Sequence, residues 1–130
     1  MKTEILCLAD FAADYGGKLS IVGLFDALIC PSLPAVHPHC SLAIKLRFEP
    51  AEAGAKRLRI VLSDPDGQPL VQAVELPIQV VVPPEAASAT VQVVVNLAGL
   101  RLATFGEHTI ALQVEGRPAA TTPLIVRRAG

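Results

Sequence analysis

Tryptophan is absent from this chain, tyrosine and methionine occur once each, and aromatic residues make up only 4% of it. A core without large rings must be filled by Val, Leu, Ile and Ala, and few side chains remain to stack on single-stranded nucleic acid. An excess of one charge is also missing. The 11 basic residues stand against 12 acidic ones, so no overall field draws the chain toward nucleic acid or an anionic lipid surface. Long apolar runs are lacking too. Val80–Pro84 and Val93–Val95 fall far short of the roughly 20 residues a membrane-spanning helix needs. Glu4 and Asp10 interrupt the stretch that a secretion signal would keep apolar. Cys7, Cys30 and Cys40 are an odd number at unrelated spacings, which reads as free thiols in a reducing compartment. A soluble cytoplasmic protein with no membrane or nucleic-acid partner is the expectation.

What the chain has is alternation. Leu42, Ile44, Leu46 and Phe48 fall on one side of an extended chain, and Ser41, Lys45, Arg47 and Glu49 on the other. A period of two marks half-buried strands. Strands are predicted over 3–13, 18–29, 39–49, 56–63, 69–82, 89–98 and 107–115, with a last one ending near Val126. Asp14-Tyr15-Gly16-Gly17, Asp64-Pro65-Asp66-Gly67 and Glu115-Gly116-Arg117-Pro118 supply the turns. Three prolines between Cys30 and Pro38 predict a crossing loop there, and Pro77 predicts an edge strand or a bulge. Leu97–Ala103 is the one stretch that could pass for a short helix. One domain over residues 1–130 is expected: an all-β, immunoglobulin-like two-layer β-sandwich of about seven to nine mostly antiparallel strands. The first two strands are apolar on both sides, which predicts cover on both sides, from a second layer or a partner chain.

Candidate chemistry is sparse. His37-Pro38-His39-Cys40 groups metal-ligand types, but a zinc site wants three or four ligands, and alternation sends His39 and Cys40 to opposite faces. Neither a metal nor a cofactor is expected. A cysteine nucleophile needs an electropositive, partly exposed setting that nothing here indicates. Asp10 and Asp26 lie in apolar stretches, where a carboxylate must be paired or bonded to backbone. Asp10, Asp26, His37 and His39 therefore form a candidate polar site. Lys45, Arg47, Arg57 and Arg59 form a candidate basic patch if 39–49 and 56–63 pair as a hairpin, with Glu49 and Glu75 interspersed. Gly106-Glu107-His108 resembles the start of a sandwich strand whose corner tyrosine bonds back to the chain, so His108 is expected to be tied to a backbone group.

Ala9-Asp10-Phe11, Gly17-Lys18-Leu19-Ser20-Ile21-Val22-Gly23-Leu24-Phe25-Asp26 and Pro34-Ala35-Val36-His37-Pro38 carry a pattern. Leu46-Arg47-Phe48-Glu49-Pro50, Asp64–Gly67 and Gly106–His108 extend it more loosely to Val126. On these residues the chain resembles a family of small, uncharacterised bacterial proteins classed as a domain of unknown function. It departs from that pattern at Phe11, Ser20 and His108, where Tyr, Asn and Tyr are usual. The resemblance implies a fold and transfers no catalytic residue. The function expected is a non-enzymatic binding or assembly module with a protein partner, self-associating through apolar strand faces or edges. A small-ligand protein or enzyme using Asp10, Asp26, His37 and His39 is the alternative.

Overall fold

The computed structural model describes residues 1–130. Nine strands occur in chain order: β1 (Lys2–Tyr15), β2 (Lys18–Phe25), β3 (Ala27–Cys30), β4 (Ala35–Phe48), β5 (Gly54–Ser63), β6 (Val74–Val80), β7 (Ala89–Leu102), β8 (Gly106–Val114) and β9 (Arg117–Arg128). They form two sheets, a four-stranded one ordered β2-β1-β4-β7 and a five-stranded one ordered β3-β9-β8-β5-β6. We call them sheet A and sheet B. Every pairing is antiparallel except β3 with β9. The protein is therefore all-β.

The core lies between the sheets and is built by the alternation. Leu42, Ile44, Leu46 and Phe48 of β4 have almost no exposure, as do Leu58, Ile60 and Leu62 of β5 and Ile110 and Leu112 of β8. Burying each such side chain contributes about 1.5–3 kcal/mol. Two hairpins close through two-residue turns. Gly16 and Gly17 (φ +58° and +81°) join Tyr15 to Lys18, and Glu115 and Gly116 (φ +51° and +74°) join Val114 to Arg117. Positive φ at both central residues matches the strand twist. The Gly17 amide donates to Asp14 Oδ1 at 2.9 Å, and Asp64 Oδ1 accepts from the Asp66 and Gln68 amides at 2.9 Å each.

Several sequence expectations are corrected. Residues 18–29 are two strands in different sheets, because the chain bends at Asp26, whose carbonyl accepts the Ile125 amide at 2.8 Å. The proline-rich crossing is shorter than Cys30–Pro38, since β4 already begins at Ala35. Pro38 fits there because His37 and His39 pair with Leu100 and Ala98 while 38 has no partner in the register. The position opposite it is Gly99, at φ +64°. Leu97–Ala103 is not helical: it lies in β7 as far as Leu102, and at the left-handed Gly99, opposite Pro38, the alternation of faces slips while the pairing register stays constant. Leu97 and Leu100 both reach the core, and that spacing of three imitates a helix in the bare sequence. The 69–82 strand is confined to Val74–Val80, an edge strand that tolerates Pro77. Finally, 39–49 and 56–63 are no hairpin. A 3₁₀ turn at Pro50–Glu52, closed by a capping box between Glu49 and Glu52, carries the chain from sheet A to sheet B.

Candidate functional site

The two sheets differ on their outer sides. On sheet B, Arg57 and Arg59 of β5, Glu75 and Gln79 of β6, and Glu107 and Thr109 of β8 face outward and are exposed. The outer side of sheet A is charged at one end, where Glu4, Lys45 and Arg47 meet, and largely apolar around the middle of β1 and β2. Ala9 pairs with Leu24 and Phe11 with Val22, on either side of the left-handed Gly23, so Ala9 and Leu24 share one face and Phe11 and Val22 lie beside one another. Val22 and Leu24 are 60% and 64% exposed, and Phe11 is 46% exposed. Cys7, Ala43 and Val94 continue the same face across the sheet, since Cys7 pairs with Ala43 and Ala43 with Val94. Tyr15 stands exposed at the hairpin end of β1. The expected cover for the outer side of β2 is thus absent within the chain, and an apolar surface faces solvent.

The four residues of the candidate polar site do not form a cluster of metal-ligating groups. Asp10 and Asp26 are both exposed, which removes the premise that either needs a buried partner. The Asp10 carboxylate lies against Gly23, where a Cβ would come within 2.8 Å of its Cγ. Glycine is required at 23 on a second count, its φ of +69°. His39 is exposed on β4. His37 is half-buried, its ring 5.7 Å from that of Phe25 and tilted by 56°. Its Nε2 is enclosed without a hydrogen-bond partner. His37 also lines a small apolar cleft of about 230 Å³ with Leu28, Cys30 and Val36. The largest surface cleft, about 580 Å³, lies against Arg59, Val61 and Leu70 and holds no nucleophile beside a base. No three His, Cys, Asp or Glu side chains gather as a metal site would require.

Two of the three thiols sit where ionisation is disfavoured. Burial pushes the Cys40 thiol up, and the Asp10 charge adds to it. Burial alone does the same to Cys7. A thiol held protonated does not attack.

The basic patch is divided between the sheets. Lys45 and Arg47 lie on β4 in sheet A, and Arg57 and Arg59 on β5 in sheet B. Arg47 donates from Nε to Glu4 Oε2 at 2.7 Å, from Nη2 to Glu4 Oε1 at 3.2 Å and from Nη1 to Ser88 Oγ at 2.8 Å. Lys45 Nζ lies 3.6 Å from Glu4 Oε1. These bonds, with Arg47 first, hold the Glu4 carboxyl below its usual range. Arg59 Nε is 3.8 Å from Glu75 Oε1, so the acid expected to intervene does so. His108 is buried, and its Nδ1 lies 3.2 Å from the Gly106 carbonyl, the backbone tie anticipated for that corner. The apolar residues Phe11, Val22 and Leu24 were not singled out as a site. The available signal was that both faces of the first two strands are apolar.

Two facing sheets and no helix beyond one 3₁₀ turn define an all-β protein. The chain belongs to the family of unknown function DUF6941, whose family model matches residues 4–127. No curated protein matches it. Among solved structures, a β-glucosidase from Listeria innocua in complex with isofagomine aligns at TM-score 0.53 and 10% identity, over 80% of this chain and 15% of that one. The Pseudomonas fluorescens alkylpurine DNA glycosylase AlkC, bound to DNA containing an abasic site analog, aligns at TM-score 0.49 and 12% identity, over 97% of this chain and 30% of that one. The chain thus spans under a third of either protein, and at such identity the first likeness speaks to the fold alone. No helix is long and apolar enough to cross a membrane.

Proposed function

We propose that this chain is a non-enzymatic binding or assembly module of the bacterial cytoplasm that self-associates through sheet A, in an immunoglobulin-like sandwich. The fold reading is supported by nine strands in two facing sheets and by His108 tied to backbone at the corner position. The assembly reading rests on one observation: Phe11, Val22 and Leu24 lie close together on the paired strands β1 and β2, about half or more exposed. Contiguous exposed apolar surface of this kind marks a contact site.

The magnitudes favour weak association. Burying the exposed part of each of these side chains contributes on the order of 1–2 kcal/mol. Six of them in a symmetric pair roughly offset the ~4–15 kcal/mol that association costs in lost freedom. Light scattering across a concentration series tests the reading. The weight-average mass is expected to climb above the monomer as concentration rises, and a monodisperse monomer at the highest concentration overturns it.

A second reading keeps the cleft between β3 and β4 as a small-ligand site, favoured by the unpartnered Nε2 of His37 beside it. A small heteroaromatic donor that raises the melting temperature of the wild type and not of His37→Phe would support it. No shift across a fragment set would remove it.

A further inference from the structure

The edges of the two sheets are not equally defended. Strand β3 has only four residues, too few to template a partner. Strand β6 carries Glu75 and Pro77. Strand β2 starts at Lys18 and holds the left-handed Gly23, which leaves regular strand geometry within it. Shortness, charge, proline and bulges are the usual means of blunting a sheet edge. Strand β7 has none of them between Ala89 and Ala98, where Thr90, Gln92 and Asn96 are the only polar side chains. One side of β7 pairs with β4 from Ala89 to Leu102. Its other side is open: no residue of β7 takes part in any of the 9 backbone bonds outside the strand ladders.

We propose that β7 pairs antiparallel with β7 of a second copy about a two-fold axis at Val94, joining two A sheets into one continuous sheet. This rests on the reading that the chain self-associates through sheet A. The register follows from the side chains. An axis at Val94 sets Val93 against Val95 and Val91 against Leu97 on the core side, and Gln92 against Asn96 on the outer side. The Gln92 Oε1 is covered within the single chain and has no hydrogen-bond partner there, so its side chain gains a partner by turning toward a second copy. Asn96 Oδ1 accepts the Ser41 hydroxyl at 2.7 Å, which leaves the Asn96 amide nitrogen to donate elsewhere. In the pair each Gln92 lies across from the Asn96 of the second copy. An axis at Val93 would set Gln92 against Val94, leaving that amide unmatched, and Asn96 against the shorter Thr90.

Charge agrees with the same register. It carries Arg101 toward the Glu85–Ala87 segment of the second copy, so the charges nearest the ladder meet with opposite sign. A foreign strand would gain the backbone ladder and not this correspondence of β7 with itself. A run of about ten residues is roughly 33 Å long, and such a ribbon contact sits at the small end of protein interfaces, below about 1,200 Å². Dilution is therefore expected to separate the pair.

The experiment is sedimentation velocity over a dilution series in the Leu24→Lys background, where the outer face of β1 and β2 no longer contributes. That chain is expected to dimerise. Adding Val94→Lys or Val94→Glu places like charges opposite each other at the axis and weakens the dimer at least tenfold. An equimolar mixture of the two restores it. The proposal is overturned if either variant dimerises like its parent, if the mixture fails to recover, or if Leu24→Lys is monomeric while the wild type self-associates. A wild type that is also monomeric removes the sheet A reading with it. Should thermal melts show the charged variants unfolded, Val94→Cys under mild oxidation decides instead. Directly opposed Cβ atoms lie about 4.5–5.5 Å apart, so a disulfide-linked dimer is expected. Its absence, or equal linkage by Ala98→Cys, overturns the proposal.

Discussion

The outer faces of sheets A and B carry different chemistry on the same backbone plan. Sheet B turns Arg59 toward Glu75 and surrounds them with Gln113 and Glu115, a face that water solvates well. Sheet A turns Val22, Leu24 and Phe11 outward over small residues, Ala9 and Ala43, that are themselves fully covered. A solvated face costs nothing to leave exposed, whereas an apolar one gains when it is covered. That difference is the ground for placing the proposed contact on sheet A.

That comparison can be broken or sharpened by substitution. The largest effect is expected on the inner side. Leu42→Ala, at a position with no exposure, should lower unfolding stability by about 2–5 kcal/mol in a denaturant titration. Gly23→Ala should lower it by about 1–3 kcal/mol. The left-handed backbone opposes a side chain there, and the new Cβ meets the Asp10 carboxylate. Asp10→Gly in the same chain should recover the steric part alone. Leu24→Lys, on the outer side, should leave stability within about 0.5 kcal/mol of wild type while lowering the mass reached at a given concentration. The smallest effect is acid sensitivity.

Because the Arg47 bonds depress the folded-state value of Glu4, its contribution is full above the ordinary glutamate value. It is lost as pH falls through the lower folded one. Exposed ion pairs contribute little, so Glu4→Gln should only flatten the acid end of a stability profile. An unchanged profile would remove the pair from the account.

Much of this architecture is legible in the residues. Alternation through Leu42–Phe48 and Val91–Leu97 marks strands, and Gly16-Gly17 and Asp64–Gly67 mark turns, because these signals are local. What was not legible depends on partners distant in sequence. Nothing within 39–63 tells that the 3₁₀ turn after Phe48 changes sheets, so Arg47 and Arg59 look like neighbours and are not. Gly99 spaces Leu97 and Leu100 as a helix would, and only the unbroken ladder with β4 reveals a strand with a left-handed residue in it. The apolar surface was hidden for a related reason. Where both faces of a strand are apolar, as in Leu19–Phe25, alternation cannot say which face is inside.

The account's central claim is that sheet A, and not sheet B, is the side that meets a partner. Measuring the weight-average mass of wild type, Leu24→Lys and Thr109→Lys at one high concentration tests it most directly, since Thr109 is exposed on the outer side of sheet B. Leu24→Lys is expected to lose mass while Thr109→Lys matches wild type. A loss confined to Thr109→Lys, or three equal masses, would contradict it.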